Sequence, residues 1–192
     1  MIRALGRGDG ARLADFLKGL PDEVYDSWNR FGFSATDYDT KAAARRQCRA
    51  PRAEEVGFVA VDSGGRIIGY SYLRFFPGKE NKRHNASLGI VVAAGHHGRG
   101  IGKRLMLHMH RWARRHGIKK IWLATYARNS RALRLYLGLG YEVEGIFMYD
   151  ERGRRGWDHV VSMALMLDRS FCRARTERRA LTARIERGAS VR

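Results

Sequence analysis

Leu13, Phe16, Leu17 and Leu20 recur at the three- and four-residue intervals of one helix face, with Asp9 placed as an N-cap. Beyond Pro21, the residues Val24, Tyr25, Trp28 and Phe31 repeat the pattern, so two short amphipathic helices open the chain. Residues 36–47 predict a third that ends before Pro51. The period then changes. Residues 56–61 and 67–76 are β-branched and aromatic runs separated by Ser63-Gly64-Gly65, the composition of a hairpin turn. Residues 77–85 are polar and read as a loop. Residues 86–93 form a continuous apolar run suited to a central strand buried on both faces.

Helical spacing returns at Ile101, Leu105, Met109, Trp112 and Ala113, while Lys103, Arg104, Arg111, Arg114 and Arg115 fall on the other face and Gly117 ends the helix. Residues 118–125 are a strand. Asn129-Ser130 caps a helix with the stripe Ala132, Leu133, Tyr136 and Leu137, closing at Gly138 or Gly140, and residues 141–150 and 157–167 are the last two strands. Helices, an antiparallel hairpin, then strand, helix, strand, helix, strand, strand predict an α/β fold: one mixed central β-sheet flanked by helices, in a single domain of residues 1–167. Residues 168–192 carry Arg169, Arg173, Arg175, Arg178, Arg179, Arg184, Arg187 and Arg192 with few large apolar residues, and read as an appended basic helix or tail.

Charge modifies this picture only at the end of the chain. The 192 residues hold 37 Lys plus Arg against 19 Asp plus Glu, a net charge of +18, but the arginines are spread over every segment. A nucleic-acid footprint should cluster, so a generic basic surface is the better reading outside residues 168–192. The two cysteines, Cys48 and Cys172, form no CxxC pair, which argues against a disulfide framework or structural zinc and fits a reducing cytoplasm. No run of 18 apolar residues and no apolar opening segment occurs, so neither a membrane span nor a signal peptide is expected. His96, His97, His108, His110 and His116 have no convergent spacing and no HExxH companion, and no metal is expected.

The chemistry concentrates at Gly98, Gly100 and Gly102, between a buried strand and a long amphipathic helix. Glycine lets successive N–H groups turn toward one ligand, and a helix N-terminus adds about half a positive charge, so the turn suits an anion such as a pyrophosphate. Arg99, Lys103 and Arg104 would reinforce it. The spacing matches neither GxxxxGK[ST] nor GxGxxG, which excludes a Walker loop and disfavours a Rossmann cofactor. A glycine turn with no ligand is the plainer alternative.

His97-Gly98-Arg99-Gly100-Ile101-Gly102 resembles the acetyl-CoA signature [Q/R]-x-x-G-x-[G/A] of the Gcn5-related N-acetyltransferase (GNAT) superfamily. Asn129, Ala132, Tyr136, Gly140 and Tyr141 resemble its second motif, N-x-x-A-x-x-x-Y-x-x-x-G-[F/Y], and residues 157–167 its last strand. The resemblance spans about residues 56–167. It implies a GNAT-like fold and an acetyl-CoA-dependent N-acetyltransferase that moves an acetyl group to a primary amine by direct attack in a ternary complex. It places pyrophosphate on the amides of His97, Gly98, Arg99, Gly100, Ile101, Gly102 and Lys103, and pantetheine along Ile90, Val91 and Val92. There a backbone N–H would polarise the thioester carbonyl. It also gives Asn129 a cofactor contact and Tyr136 the role of acid to the departing thiolate, although Tyr136 equally suits an ordinary core aromatic.

His97 stands where Gln or Arg is usual, which weakens a side-chain phosphate contact and leaves the backbone cradle. The strand before Asn129, Trp122-Leu123-Ala124-Thr125-Tyr126, lacks the carboxylate that some relatives use as base. Candidate bases are Glu80, His84, Asp37, Asp39 and Asp158, beside water-mediated deprotonation. The acceptor is a small-molecule or peptide amine. Trp28, Phe31, Phe33, Phe75 and Phe76 would wall its site, and the acidic residues Asp22, Glu23, Asp26, Asp37 and Asp39 would suit a cationic amine or simply form a solvated face. A homodimer is left open. The rival reading is a non-catalytic acyl-CoA-binding or nucleic-acid-associated module that uses the basic tail.

Overall fold

The computed structural model describes residues 1–21, 55–76, 79–153 and 156–168. The second and third expected helices and the basic tail beyond residue 168 lie outside them, as do Asp37 and Asp39.

The chain opens with a strand that the residue pattern did not announce, β1 (Ile2–Ala4), which pairs antiparallel with β2 (Glu55–Val61). Helix α1 (Gly10–Lys18) follows a tight turn. Asp9 stands at its N-cap position, but its side chain does not cap the helix: the buried carboxylate accepts from the Gly6 N–H at 2.8 Å and from Arg3 at 2.5 Å, pinning β1 to the turn. Next come β3 (Ile67–Arg74), β4 (Asn85–Val92), α2 (Ile101–Arg115), β5 (Lys120–Tyr126), α3 (Ser130–Gly138), β6 (Glu142–Gly153) and β7 (Gly156–Met166). The described strands form one mixed sheet in the order β1-β2-β3-β4-β5-β7-β6, parallel only at β4–β5.

Strand alternation gives the sheet two apolar faces. One packs Phe58, Leu73, Leu88, Ile121, Leu123 and Met163 against Ile101, Leu105, Met106 and Met109 of α2. The other packs Val59, Tyr70, Tyr72 and Val91 against Leu13, Phe16 and Leu17 of α1. Each fully buried Leu or Met contributes about 2 kcal/mol through apolar area removed from water. Phe75 stacks on Trp112 at 5.8 Å and joins the α2-side core, so it does not wall an acceptor site on the other face. Leu137 is 54% exposed, and the core-facing residues of α3 are Ala132, Leu133, Leu135 and the buried Tyr136.

The central pair does not stay paired. β4 and β5 are in register at Asn85–Lys120, Ala86–Ile121 and Ser87–Trp122, and then part, although both strands continue. The sheet therefore splits at its middle, toward the ends from which α2 and α3 start.

Candidate active site

A cleft of about 700 Å³ fills the split. Its floor and walls include Leu88 to Val92 of β4, Ala124, Thr125 and Tyr126 of β5, the turn residues His97, Gly98 and Gly100, the start of α2 through Lys103, and Asn129, Ala132, Leu135 and Tyr136. Among the sequence-derived candidates, Ile90, Val91, Val92, His97, Gly98, Gly100, Ile101, Gly102, Lys103, Asn129 and Tyr136 all line it. Arg99 is exposed and does not.

The main-chain direction of β4 follows from its pairing with β3. The Ala93 N–H donates to Ile68 C=O, and antiparallel partners alternate, so Val91 and Gly89 turn their main-chain groups toward Tyr70 and Tyr72. Ile90 and Val92 turn theirs into the split, where β5 no longer receives them. Val91 therefore borders the cleft without offering its amide. Gly89 is fixed by contact: a Cβ there would stand 2.2 Å from Cε1 of Tyr72, whose ring lies across the strand and reaches the cleft.

At the mouth, Gly98 and Gly100 have φ of +76° and +72°, the left-handed region, with nothing crowding them. Gly102 has another reason: its α-carbon comes so close to α3 that a Cβ would meet Leu135 Cδ2 at 3.2 Å. Gly100 is the N-cap of α2 and supplies no side-chain cap, so the first-turn N–H groups and the helix dipole open on the cleft. Lys103, Arg128, Arg131 and Arg134 also line it. An uncapped helix end in a cationic cleft of this length suits an anionic nucleotide with an extended arm, and the β4 amides suit the amides and thioester of that arm.

His97 is committed elsewhere than to a phosphate. Arg131 donates to its Nδ1, and its Nε2–H donates to Val92 C=O at 2.8 Å, tying α3 to β4 across the mouth. The Asn129 side chain caps α3, its Oδ1 accepting from Ala132 N–H at 3.2 Å. Tyr136 is buried to 7% exposure, and its hydroxyl takes no hydrogen bond from the described residues; burial pushes its pKa above the usual phenol value.

Of the candidate bases, Glu80 is exposed and paired with Arg83, and neither it nor His84 lines the cleft. Asp158 does not line the cleft; it is buried beside it, its carboxylate 3.0 Å from the cleft-lining Arg128. It stands opposite Glu151 in the β6–β7 ladder, beside a bulge where Tyr149 takes φ +53° and its N–H donates to His159 Nδ1 at 2.9 Å. Glu151 accepts from the Tyr126 hydroxyl at 2.6 Å. Tyr72, Tyr126, Arg128, Arg131 and Arg134 were not singled out from the sequence.

Residues 21–141 match the acetyltransferase (GNAT) family model. The chain belongs to the acetyltransferase (GNAT) family. Mycothiol acetyltransferase of Saccharomonospora viridis is 27% identical over 142 residues, 70% of this chain and 46% of that protein. The chain thus spans about half the length of the mycothiol acetyltransferases it matches. The N-alpha-acetyltransferase RimI of Mycobacterium tuberculosis is 31% identical over 148 residues, 76% of this chain and 80% of that protein. A GNAT-family acetyltransferase structure from Streptococcus pneumoniae superposes with a TM-score of 0.70 over 88% of this chain and 99% of that one, at 22% identity. A Salmonella typhimurium acetyltransferase solved with acetyl-CoA matches with a TM-score of 0.70 at 20% identity, over 88% of this chain and 94% of that one. These two likenesses establish the shared fold: the mixed sheet of the GNAT family. Among the described residues no helix is long and apolar enough to cross a membrane.

Proposed function

We propose that this chain is an acetyl-CoA-dependent N-acetyltransferase in which residues 1–167 form the catalytic unit and a primary amine is the acceptor. The observation that carries the reading is the parting of β4 from β5 beside an uncapped α2, which leaves two sets of main-chain donors without a partner among the described residues, facing one cleft. When bound, acetyl-CoA supplies an activated acetyl group and a thiolate leaving group. The α2 amides and Lys103 would hold its pyrophosphate, and Asn129, whose Oδ1 is occupied by the cap, has its amide NH2 left for the arm.

The Ile90 and Val92 N–H groups, turned into the split, would donate to the thioester oxygen as negative charge grows there, and a preorganised donor in a water-poor cleft is worth several kcal/mol. Tyr136 holds its proton until the C–S bond breaks and then passes it to the sulfur; a pKa raised by burial keeps the phenol in the donor form. The amine loses a proton to the acceptor-side medium as the N–C bond forms.

The experiment is CoA release from purified protein across a broad amine panel, with Tyr136→Phe as comparator. Turnover on at least one amine is expected, with kcat of the variant lower by about 100-fold and acetyl-CoA affinity within about threefold. Loss of affinity in step with kcat would make Tyr136 a packing residue.

A further inference from the structure

The motif tyrosine-x-arginine occurs twice near the split, as Tyr72-Leu73-Arg74 on β3, one strand away from it, and as Tyr126-Ala127-Arg128, where β5 ends at Tyr126 on its edge. Strand period puts Arg74 on the face of Tyr72, Arg128 in the turn just past β5 folds back over the Tyr126 ring, and both tyrosines belong to the α1 face. Tyr72 packs with the α1-side core, and Tyr126 has the parity opposite to Leu123, which faces α2. Arg74 lies 5.7 Å from the Tyr72 ring centre and donates to Glu55 at 3.3 Å; Arg128 lies 5.2 Å from the Tyr126 ring centre and pairs with Asp158 at 3.0 Å.

The two differ in what they present. Only Arg128 lines the cleft, and its side chain is 50% exposed against 31% for Arg74. A guanidinium has five N–H donors, and Asp158 engages one end of it. The carboxylates beside it are already engaged, Asp158 by Arg128 with 11% of its side chain exposed and Glu151 by the Tyr126 hydroxyl. The α1-face wall of the cleft therefore offers an acceptor a half-open cation with a planar fork, and no open carboxylate among the described residues. α2 packs on the opposite face of the sheet, and Arg128, although it lines the same cleft as the α2 N-terminus, lies over the Tyr126 ring on the α1 face.

We propose that Arg128 selects the acceptor: the substrate is an amine that carries a carboxylate a few bonds away, as in an α-amino acid. The carboxylate would take the open edge of the fork bidentately, while Asp158 keeps the guanidinium oriented over Tyr126. This rests on the acetyltransferase reading above and narrows it to a substrate class.

The test compares α-amino acids with their decarboxylated amines and their carboxamides, in full-length protein and in Arg128→Gln, Arg128→Lys, Arg74→Gln and the double variant Arg128→Gln/Asp158→Asn, which leaves no orphaned charge. The readout is the ratio of kcat/KM for amino acid over decarboxylated amine. The unmodified protein should favour the amino acid, and Arg128→Gln and the double variant should lower the ratio by about 30-fold, the scale of one charge-assisted bidentate contact, mostly through KM. Arg128→Lys should restore part of it, and Arg74→Gln should leave it within about twofold. Where turnover is slow, titration of the CoA-loaded protein with the same pairs gives the same ratio as an affinity. Equal use or equal binding of the two classes, or a ratio that Arg128→Gln does not move, overturns the inference. Failure to bind acetyl-CoA at all, read separately by calorimetry, would instead sink the acetyltransferase reading.

Discussion

Two helices start at the lips of the split sheet, and they treat their N-termini in opposite ways. α3 satisfies its own first turn with the Asn129 side chain. α2 begins at a glycine in the left-handed region and leaves its first-turn donors to the cleft. A glycine N-cap costs roughly a few tenths of a kcal/mol relative to a good cap, and at α2 that open end faces a cleft lined by Lys103, Arg131 and Arg134. The helix that spends its capping donors on itself positions Tyr136, and the helix that withholds them is placed to bind.

The comparison breaks if α2 is made to resemble α3. Gly100→Asp gives α2 a capping carboxylate, and Asp tolerates the left-handed φ of +72° better than most residues. The new cap offsets part of the strain a side chain meets at that φ, while a negative charge now sits where pyrophosphate is proposed; acetyl-CoA affinity measured by calorimetry should fall by about 100-fold or more. Gly100→Asn, a cap without charge, should lose far less.

A second prediction concerns the tie between the two helices. His110, on the buried side of α2, hydrogen-bonds at 3.0 Å to the hydroxyl of Tyr141, which lies just past α3. Burial, with Arg114 as the lesser cause, pushes the His110 pKa down to about 4, while burial pushes the Tyr141 pKa up. The unfolded chain therefore binds the proton first: stability is full above the unfolded pKa of about 6.5 and declines as pH falls from there to about 4. The decline reaches about 3 kcal/mol. Urea unfolding between pH 7 and 4 should show this slope, and His110→Gln should flatten it. Asp9, whose carboxyl Arg3 holds below the usual range, acts in a separate window below about pH 4.

The smaller effects sharpen the contrast. Gly89→Ala drives a Cβ into Tyr72 and should cost 1–3 kcal/mol, roughly the range for overpacking; combining it with Tyr72→Ala should recover part of that loss in a double-mutant cycle. Asn129→Ala removes the α3 cap and should cost about 1 kcal/mol in thermal or urea unfolding, with less effect on acetyl-CoA affinity than Gly100→Asp.

Much of this architecture is legible in the residues because period carries it. The β2–β3 hairpin, the apolar run of β4, the α2 stripe and the Asn129 helix start all follow from spacing of 2 or 3.6. β1 did not, because three residues are too few to set a period. The split between β4 and β5 has no signal in either strand: both stay apolar, and only the loss of register after Ser87–Trp122 marks it. Capping at Asp9 failed because Arg3 and the Gly6 amide compete for the same carboxylate. His110 was weighed only as a metal ligand, since a hydrogen-bond partner 31 positions away leaves no local trace. The glycine turn and the Asn129 helix brought the cofactor-side candidates together, Arg99 excepted. Arg128 was hidden in the excess of arginine, and its place on the cleft wall together with its position over Tyr126 distinguishes it from Arg74.

The central claim is that the open end of α2 and the parted edge of β4 together hold acetyl-CoA. Calorimetric titration of the purified protein with acetyl-CoA, beside CoA, ATP and NAD, tests it most directly. The account predicts saturable binding of acetyl-CoA and CoA at one site, with ATP and NAD much weaker. Binding of all four alike, or of none, would contradict it.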